Sequence, residues 1–298
     1  MAQAQASPVD GQPMGEIQLV SQRQRAWRTF KSNRTALVGL AMVLLIVLIA
    51  LAAPLIAPDD PLEQTVRARL EPPSASHILG RDDKGRDILS RVIYGTRIAL
   101  EVGIFSVLLG GTLGTAMGTI AGYFGGKVEA VLMRLTDILL SFPDLITGLL
   151  VMAVLGPGLL KLIIAIGLTI APRFARISYG PTLSIKNKEF IEAAHSIGVR
   201  DERILRAHIL PNILGDLLVY ASLWTASAIR LEASLSFIGL GVQPPTPTWG
   251  QMIREGTLYL TSVPLYSLGP GIALLLAVFA FNLVGDGLRD VLDPRSQT

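Results

Sequence analysis

Few residues of this 298-residue chain are of the type and spacing that make or break bonds. There is no cysteine, which removes disulfides, thiolate metal sites, iron–sulfur clusters and a cysteine nucleophile. The three histidines, His77, His195 and His208, stand at no metal-ligand spacing, and neither H-E-x-x-H nor G-x-S-x-G occurs. The only Gly-Lys pair is Gly126-Lys127, with Ala121 where a phosphate-cradling loop needs glycine and Val128 where it needs Ser or Thr. Asp82, Asp83 and Asp87 could suggest a cation site, but Arg81, Lys84 and Arg86 interleave with them and no calcium-loop pattern is present. A solvated turn with internal ion pairs is expected there. No catalytic residue, metal ligand or cofactor site is assigned.

Two other groups of residues could carry function. The first is KNKEFIEAAHSIGVRDERILRAHILPN, residues 186–212. Phe190, Ile191, Ala194 and Ile197 recur at helical spacing, and Gly198 suits the residue just past a helix end. Asp201 can cap a second helix through Ile204, Leu205, His208 and Ile209, stopping at Leu210-Pro211. A helical hairpin this short has little room for a core of its own, and is expected to dock into a groove of another protein. The second group is Glu101, Asp137, Asp144, Asp216, Arg230, Glu232 and Asp286, which lie in or near apolar runs. Ionisable residues exposed to lipid are costly, so a polar path is their default setting. Arg230, Glu232, Asp216 and Asp286 are the path candidates, with structural pairing, as between Arg230 and Glu232, the plainer alternative.

The elements that must position these residues are membrane spans. Half the chain is hydrophobic and only 16% is charged, against about 25% in a soluble domain. Thr35–Pro58, Val102–Phe124 and Gly256–Gly285 are uncharged runs of 24, 23 and 30 residues, and about 20 residues cross a bilayer core. A third and a fourth span are expected from about Leu135 and up to about Tyr179, turning around Gly156-Pro157-Gly158, and a fifth from Ile213 to Ile238. Gly110, Gly114 and Gly118 share one helix face, a small-residue face that lets backbones approach in lipid. The chain is therefore expected to be an all-α integral membrane protein of six transmembrane helices. Sixteen Lys and Arg fall on the side of the termini and nine on the other, which predicts that both termini are cytoplasmic.

The expected organisation follows. Residues 1–34 form a cytoplasmic tail, disordered over 1–20, and 35–57 an anchor helix. That apolar run exceeds the about 7–15 residues of a cleaved signal core. Residues 58–97 form an outer segment in which Ile88, Leu89, Val92 and Ile93 make a short amphipathic helix leading into the second span. Residues 98–285 form a five-helix core, and 286–298 a cytoplasmic tail. The loop 241–256, rich in proline and carrying Trp249, is expected to be non-helical at the outer interface. The formal charge of +3 gives no sign of nucleic-acid binding.

Glu192-Ala193-Ala194, three residues, Gly198, nine residues, then His208-x-Leu210-Pro211 resembles the coupling loop of permease subunits of bacterial ABC importers. That family usually has an aliphatic residue where His208 stands. LGRDDKGRDILSRVIYGTR (79–97), AGYFGG (121–126), LGVQPPTPTWG (240–250) and FNLVGDGLRDVLDPR (281–295) resemble its dipeptide/oligopeptide branch. The resemblance implies the type I importer permease fold in a bacterial inner membrane, with 186–212 seated on a cytoplasmic ATP-binding subunit. Glu192 would hold the loop by hydrogen bonds or ion pairs, Ala193 and Ala194 would allow close approach, Gly198 would turn, and Leu210-Pro211 would end the second arm. Implied partners are a second, homologous permease, two ATPase subunits, an extracytoplasmic binding protein and membrane lipid. ATP hydrolysis belongs to the ATPase subunits, so the chain itself is not an enzyme and takes no cofactor.

The expected function is thus half of a pore for di- or oligopeptides. Nickel or another small solute is the rival cargo. A secondary transporter driven by an ion gradient is the rival class, and it would need repeated broken helices, of which no second copy is found. An inert membrane scaffold leaves the hairpin unexplained.

Overall fold

The computed structural model describes residues 33–292. The tail expected to be disordered over 1–20, and residues 293–298, lie outside the described residues. Among the described residues the α-helices in chain order are α1 (Arg34–Ile56), α2 (Ile88–Phe124), α3 (Gly126–Leu140), α4 (Asp144–Leu155), α5 (Leu159–Lys186), α6 (Glu189–Ser196), α7 (Asp201–Ile204), α8 (Leu210–Ile238), α9 (Trp249–Thr257) and α10 (Leu265–Leu292). Among the described residues there is no β-sheet, only an isolated bridge between Arg81 and Asp87.

Among the described residues, four helical stretches are long and apolar enough to cross a membrane: α1, α2, the continuous run Asp201–Ile238, and α10. The pair α3 and α4 makes a fifth if its 98° bend lies within one span. α5 has 28 residues, about 42 Å and long enough to cross, but carries Lys161, Arg173, Arg176 and Lys186. The molecule is an all-helical, multi-pass membrane protein. Its outward surface agrees, since Leu48, Leu51, Leu55, Val154 and Leu275 are all more than half exposed and suit acyl chains.

α1 begins at Asn33, whose side chain accepts from the Ala36 N–H at 3.0 Å and donates to Asp290 Oδ2 at 2.9 Å. It lies against α10 at small residues, where a Cβ on Gly39 would stand 2.7 Å from the Leu283 Cβ and one on Gly287 2.4 Å from the Ala36 Cβ. α2 begins at Asp87, which caps the Ser90 N–H at 2.7 Å. The outer amphipathic helix and the second span are therefore one helix. α2, α5 and α8 enclose the main apolar core, with Val102, Leu162, Ile166, Phe174, Ile213 and Leu235 all buried.

Four local expectations are corrected. The third span does not run straight from Leu135: the chain breaks between Leu140 and Asp144, where Pro143 offers no N–H to continue the helix. The second arm of the hairpin does not stop at Leu210-Pro211. It runs through a π-helical turn, Leu205–Ile209, straight into α8. Proline cannot donate to the carbonyl four residues back, and the wider register, in which the Leu210 N–H bonds to the Leu205 carbonyl, absorbs that missing bond. Asp201 does not cap that arm; the capping position is Arg200, and the Asp201 carboxylate is engaged elsewhere. The segment 241–256 is not loop throughout: Thr248 accepts from the Gln251 N–H and starts α9.

The outer segment also differs from a solvated turn. Its ion pairs exist, but Asp82, Arg86 and Arg91 are at most 1% exposed. Asp82 accepts from the backbone N–H groups of Lys84 and Arg86 and from Arg86 Nε at 2.5 Å. α9 and α10 cover the cluster through Glu255 and Tyr266, whose hydroxyl donates to Glu255 at 2.7 Å. Burial works to raise the Glu255 carboxyl. Hydrogen bonds from Tyr266 and Gln251, with the Arg86 and Lys84 charges, outweigh it and hold that carboxyl below the usual carboxylate range.

Candidate functional site

The hairpin of α6 and α7 hangs at one end of the core. Ile191, Ala194, Ile204 and Ile209 are buried, while Glu192, Ala193, His195 and Arg200 are exposed, so each arm presents an apolar face inward and a polar face outward. Gly198 sits at φ +77°, with its N–H on the His195 carbonyl and the Val199 N–H on the Ala194 carbonyl. A Cβ there would meet nothing within 4 Å. The demand for glycine is therefore conformational rather than steric. Next to the turn, Ile197 is 81% exposed, with Phe190 and Leu210 also open. Pro211 is exposed at the start of α8.

Tyr123, the penultimate residue of α2, ties both arms to the core. It is buried, and its hydroxyl donates to Asp201 Oδ1 at 2.6 Å. The same oxygen lies 3.1 Å from His195 Nε2, and the two rings stack at 6.1 Å. Because the phenol proton is committed to Asp201, the contact to His195 is satisfied when Nε2 carries a hydrogen and donates. The Lys186 ammonium lies 5.9 Å over the same phenol ring. Sequence patterning missed Tyr123, because 72 and 78 residues separate it from the groups it holds. The one signal was its place in AGYFGG.

Gly110, Gly114 and Gly118 line the contact of α2 with α5, the most extensive helix pairing among the described residues. A Cβ at these positions would stand 2.4, 2.1 and 2.1 Å from the carbonyl oxygens of Gly167, Ala171 and Ala175. Only hydrogen fits there. The backbones run in register, each glycine four residues on meeting a carbonyl four residues on.

The path candidates are not brought together. Glu232 is 1% exposed and accepts from Ser236 Oγ at 2.7 Å, whereas Arg230 faces outward on the same helix, so the pairing expected between them is absent. Asp216 and Asp286 are exposed near the hairpin end of α8 and α10. Two ion pairs cross instead between α5 and the broken helix, Arg173 with Asp144 at 2.6 Å and Arg176 with Asp137. A groove of about 880 Å³ runs between α2 and α8, lined by residues such as Leu108, Thr112, Thr115, Leu214, Leu218 and Ser222.

At the N-terminal end of α2, His77, Asp59 and Asp87 bring one potential metal-ligating atom each within 4.8 Å of one another. Arg81 Nη2, always a donor, lies 2.8 Å from His77 Nε2, so Nε2 accepts and Nδ1 carries the proton, 3.2 Å from Asp87 Oδ1. That hydrogen occupies the lone-pair direction a metal would need. The arrangement is an Asp–His–Arg network that fixes the start of α2.

Residues 114–298 match the family described as "Binding-protein-dependent transport system inner membrane component", and residues 21–73 match "N-terminal TM domain of oligopeptide transport permease C". The chain is 40% identical over 286 residues to the dipeptide transport system permease protein DppC of Alkalihalophilus pseudofirmus, covering 96% of this chain and 94% of that one. It is 42% identical over 270 residues to the glutathione transport system permease protein GsiD of Pectobacterium atrosepticum, covering 90% of each. Among solved structures, an inward-facing MetNI methionine ABC transporter chain superposes with a TM-score of 0.58 at 19% identity, over 69% of this chain and 98% of that one.

Proposed function

Since the chain belongs to the family of binding-protein-dependent transport system inner membrane components, we propose that it forms half of a pore for di- and oligopeptides in a bacterial inner membrane. It is a permease subunit of an ABC importer and not itself the catalyst. Its complex would pair it with a second, homologous permease, two cytoplasmic ATPases and an extracytoplasmic binding protein. Six spans with cytoplasmic termini agree with the excess of Lys and Arg on the hairpin side. Peptide cargo is favoured over nickel by the two relatives, both named for peptides.

The hairpin is the single observation that supports this role best. It is too small to fold alone, its turn needs glycine, and Glu192, Ala193 and Ile197 stand exposed beside that turn. Such a surface suits a cleft in an ATPase, whose closure the hairpin would pass to α2 through Tyr123 and to α8 through the continuous second arm. Ala193 lets backbones approach, and Glu192 supplies a charge for a donor in the cleft. Purification of tagged permease from cells producing the neighbouring subunits should retain both ATPases. Proteoliposomes of that complex should then import labelled dialanine only with ATP inside and binding protein outside. Uptake driven by an ion gradient without ATP would sink the importer reading and favour a secondary transporter.

A further inference from the structure

We propose that Arg173, Asp144 and Trp224 form a subsite inside the translocation path for the two charged ends of a zwitterionic peptide. The proposal rests on the reading of the chain as a peptide permease.

Depth comes first. Arg173 is at the middle of the 28-residue α5, about 21 Å from either end. Asp144 opens the 12-residue α4, about 18 Å from its far end. Both groups thus lie well away from the far ends of their helices, yet Arg173 is 34% and Asp144 35% exposed. A charged pair left that open cannot face acyl chains without large cost, so it faces an aqueous or protein-lined space.

The face of α5 that carries Arg173 changes character at this residue. Ile166, seven residues earlier on the same face, is fully buried. Gly180, seven residues later, is exposed, and a Cβ there would meet nothing within 4 Å. Space along this face therefore opens at Arg173 and continues toward the hairpin end. Arg176 and Asp137, a second ion pair about half exposed, stand one turn further along it.

The chemistry of the cluster suits a ligand with one charge of each sign. The Arg173 guanidinium donates to Asp144 through Nη2 alone, while its Nε is shielded and has no hydrogen-bond partner. Trp224 on α8 lies under the guanidinium, 4.9 Å from it, and holds its plane. A planar fork with unused donors matches a carboxylate, and Asp144 matches an ammonium. When empty, the two residues neutralise each other. A peptide can exchange its termini into both links without leaving either charge unpaired. A ligand with a single charge would strand one partner, which at this depth is costly. The subsite therefore selects zwitterions.

The test uses the assembled complex of both permeases, ATPases and binding protein in proteoliposomes, with radiolabelled dialanine as the probe. Replacing both partners, Arg173→Leu with Asp144→Leu, removes the charges together and leaves none stranded. Assembly, read as both ATPases retained on the purified complex, should match wild type, while dialanine imported per ATP hydrolysed falls at least tenfold. Uptake per ATP within twofold of wild type in that assembled variant overturns the proposal. Should the double variant fail to assemble, Arg173→Lys decides, because it keeps the ion pair and loses only the fork. A fivefold or greater loss of uptake per ATP supports the subsite, and unchanged uptake overturns it. Failure of the wild-type complex to import dialanine would instead refute the peptide-permease reading, before any variant is compared.

Discussion

Gly198 and Tyr123 do different work within one small volume. At Gly198 the chain needs φ +77° in open space. A β-branched side chain at such a φ costs about 1–2 kcal/mol without any clash. Gly198→Val should therefore deform the turn while the spans still insert, since insertion follows hydropathy and flanking charge. Retained ATPase on the purified permease and dipeptide uptake should both fall several-fold, with Glu192→Ala milder, because it removes one contact and leaves the backbone alone. Full uptake with a full complement of ATPase in Gly198→Val would remove the hairpin from coupling. Tyr123→Phe keeps the ring in its buried seat and deletes only the bonds to Asp201 and His195. A hydrogen bond to a charged group is worth about 1.5–3 kcal/mol. Assembly should thus survive while ATP hydrolysed per peptide imported rises. Wild-type stoichiometry in that variant would show that the hydroxyl carries no coupling.

At the scale of elements, the glycine face of α2 and the π turn before α8 show how backbone approach replaces side-chain packing. A Cβ at Gly114 already stands 2.1 Å from the Ala171 carbonyl oxygen. Gly114→Leu must therefore push α2 and α5 apart along their most extensive contact. Overpacking of this kind typically costs about 1–3 kcal/mol, and here it acts on backbone with no side chain able to yield. Gly111, three residues before Gly114, would bring its Cβ only to 3.5 Å from the Phe174 ring. Size-exclusion profiles in mild detergent should show Gly114→Leu losing the monodisperse complex and its melting midpoint falling by several degrees, with Gly111→Ala close to wild type. Equal behaviour of the two variants would show that the glycine contact does not hold the helices together. The π turn matters for another reason. It joins the second arm to α8 with no hinge between them, so movement of the hairpin is movement of a span.

For the whole molecule, topology is the quantity to measure. A reporter fused after residue 70 should read outside, and one at residue 200 inside, and a cytoplasmic signal at residue 70 would overturn six spans with cytoplasmic termini. Spans, glycine spacing and the hairpin turn were legible because each is a local property: a run of apolar residues, a period of four, a glycine closing an amphipathic stretch. Helical class follows from them, since lipid leaves the backbone few other ways to satisfy its hydrogen bonds. The pairings were not legible in the same way. Arg173 and Arg176 count in sequence with the basic residues of the hairpin side, and the structure sets them in the middle of α5, which continues to Lys186. Asp144 meets Arg173 across 29 residues, and Tyr123 meets Asp201 across 78, distances at which no periodicity connects two positions. Pro211 reads as a helix end because the missing N–H is local, while the π turn that accommodates it depends on how Ile204 and Ile209 bury together. The charges of the outer segment look solvated until α9 and α10, more than 160 residues later, close over Asp82 and Arg86. Hydropathy and period are carried by neighbours along the chain, whereas burial and ion pairing are set by which distant helices share a surface.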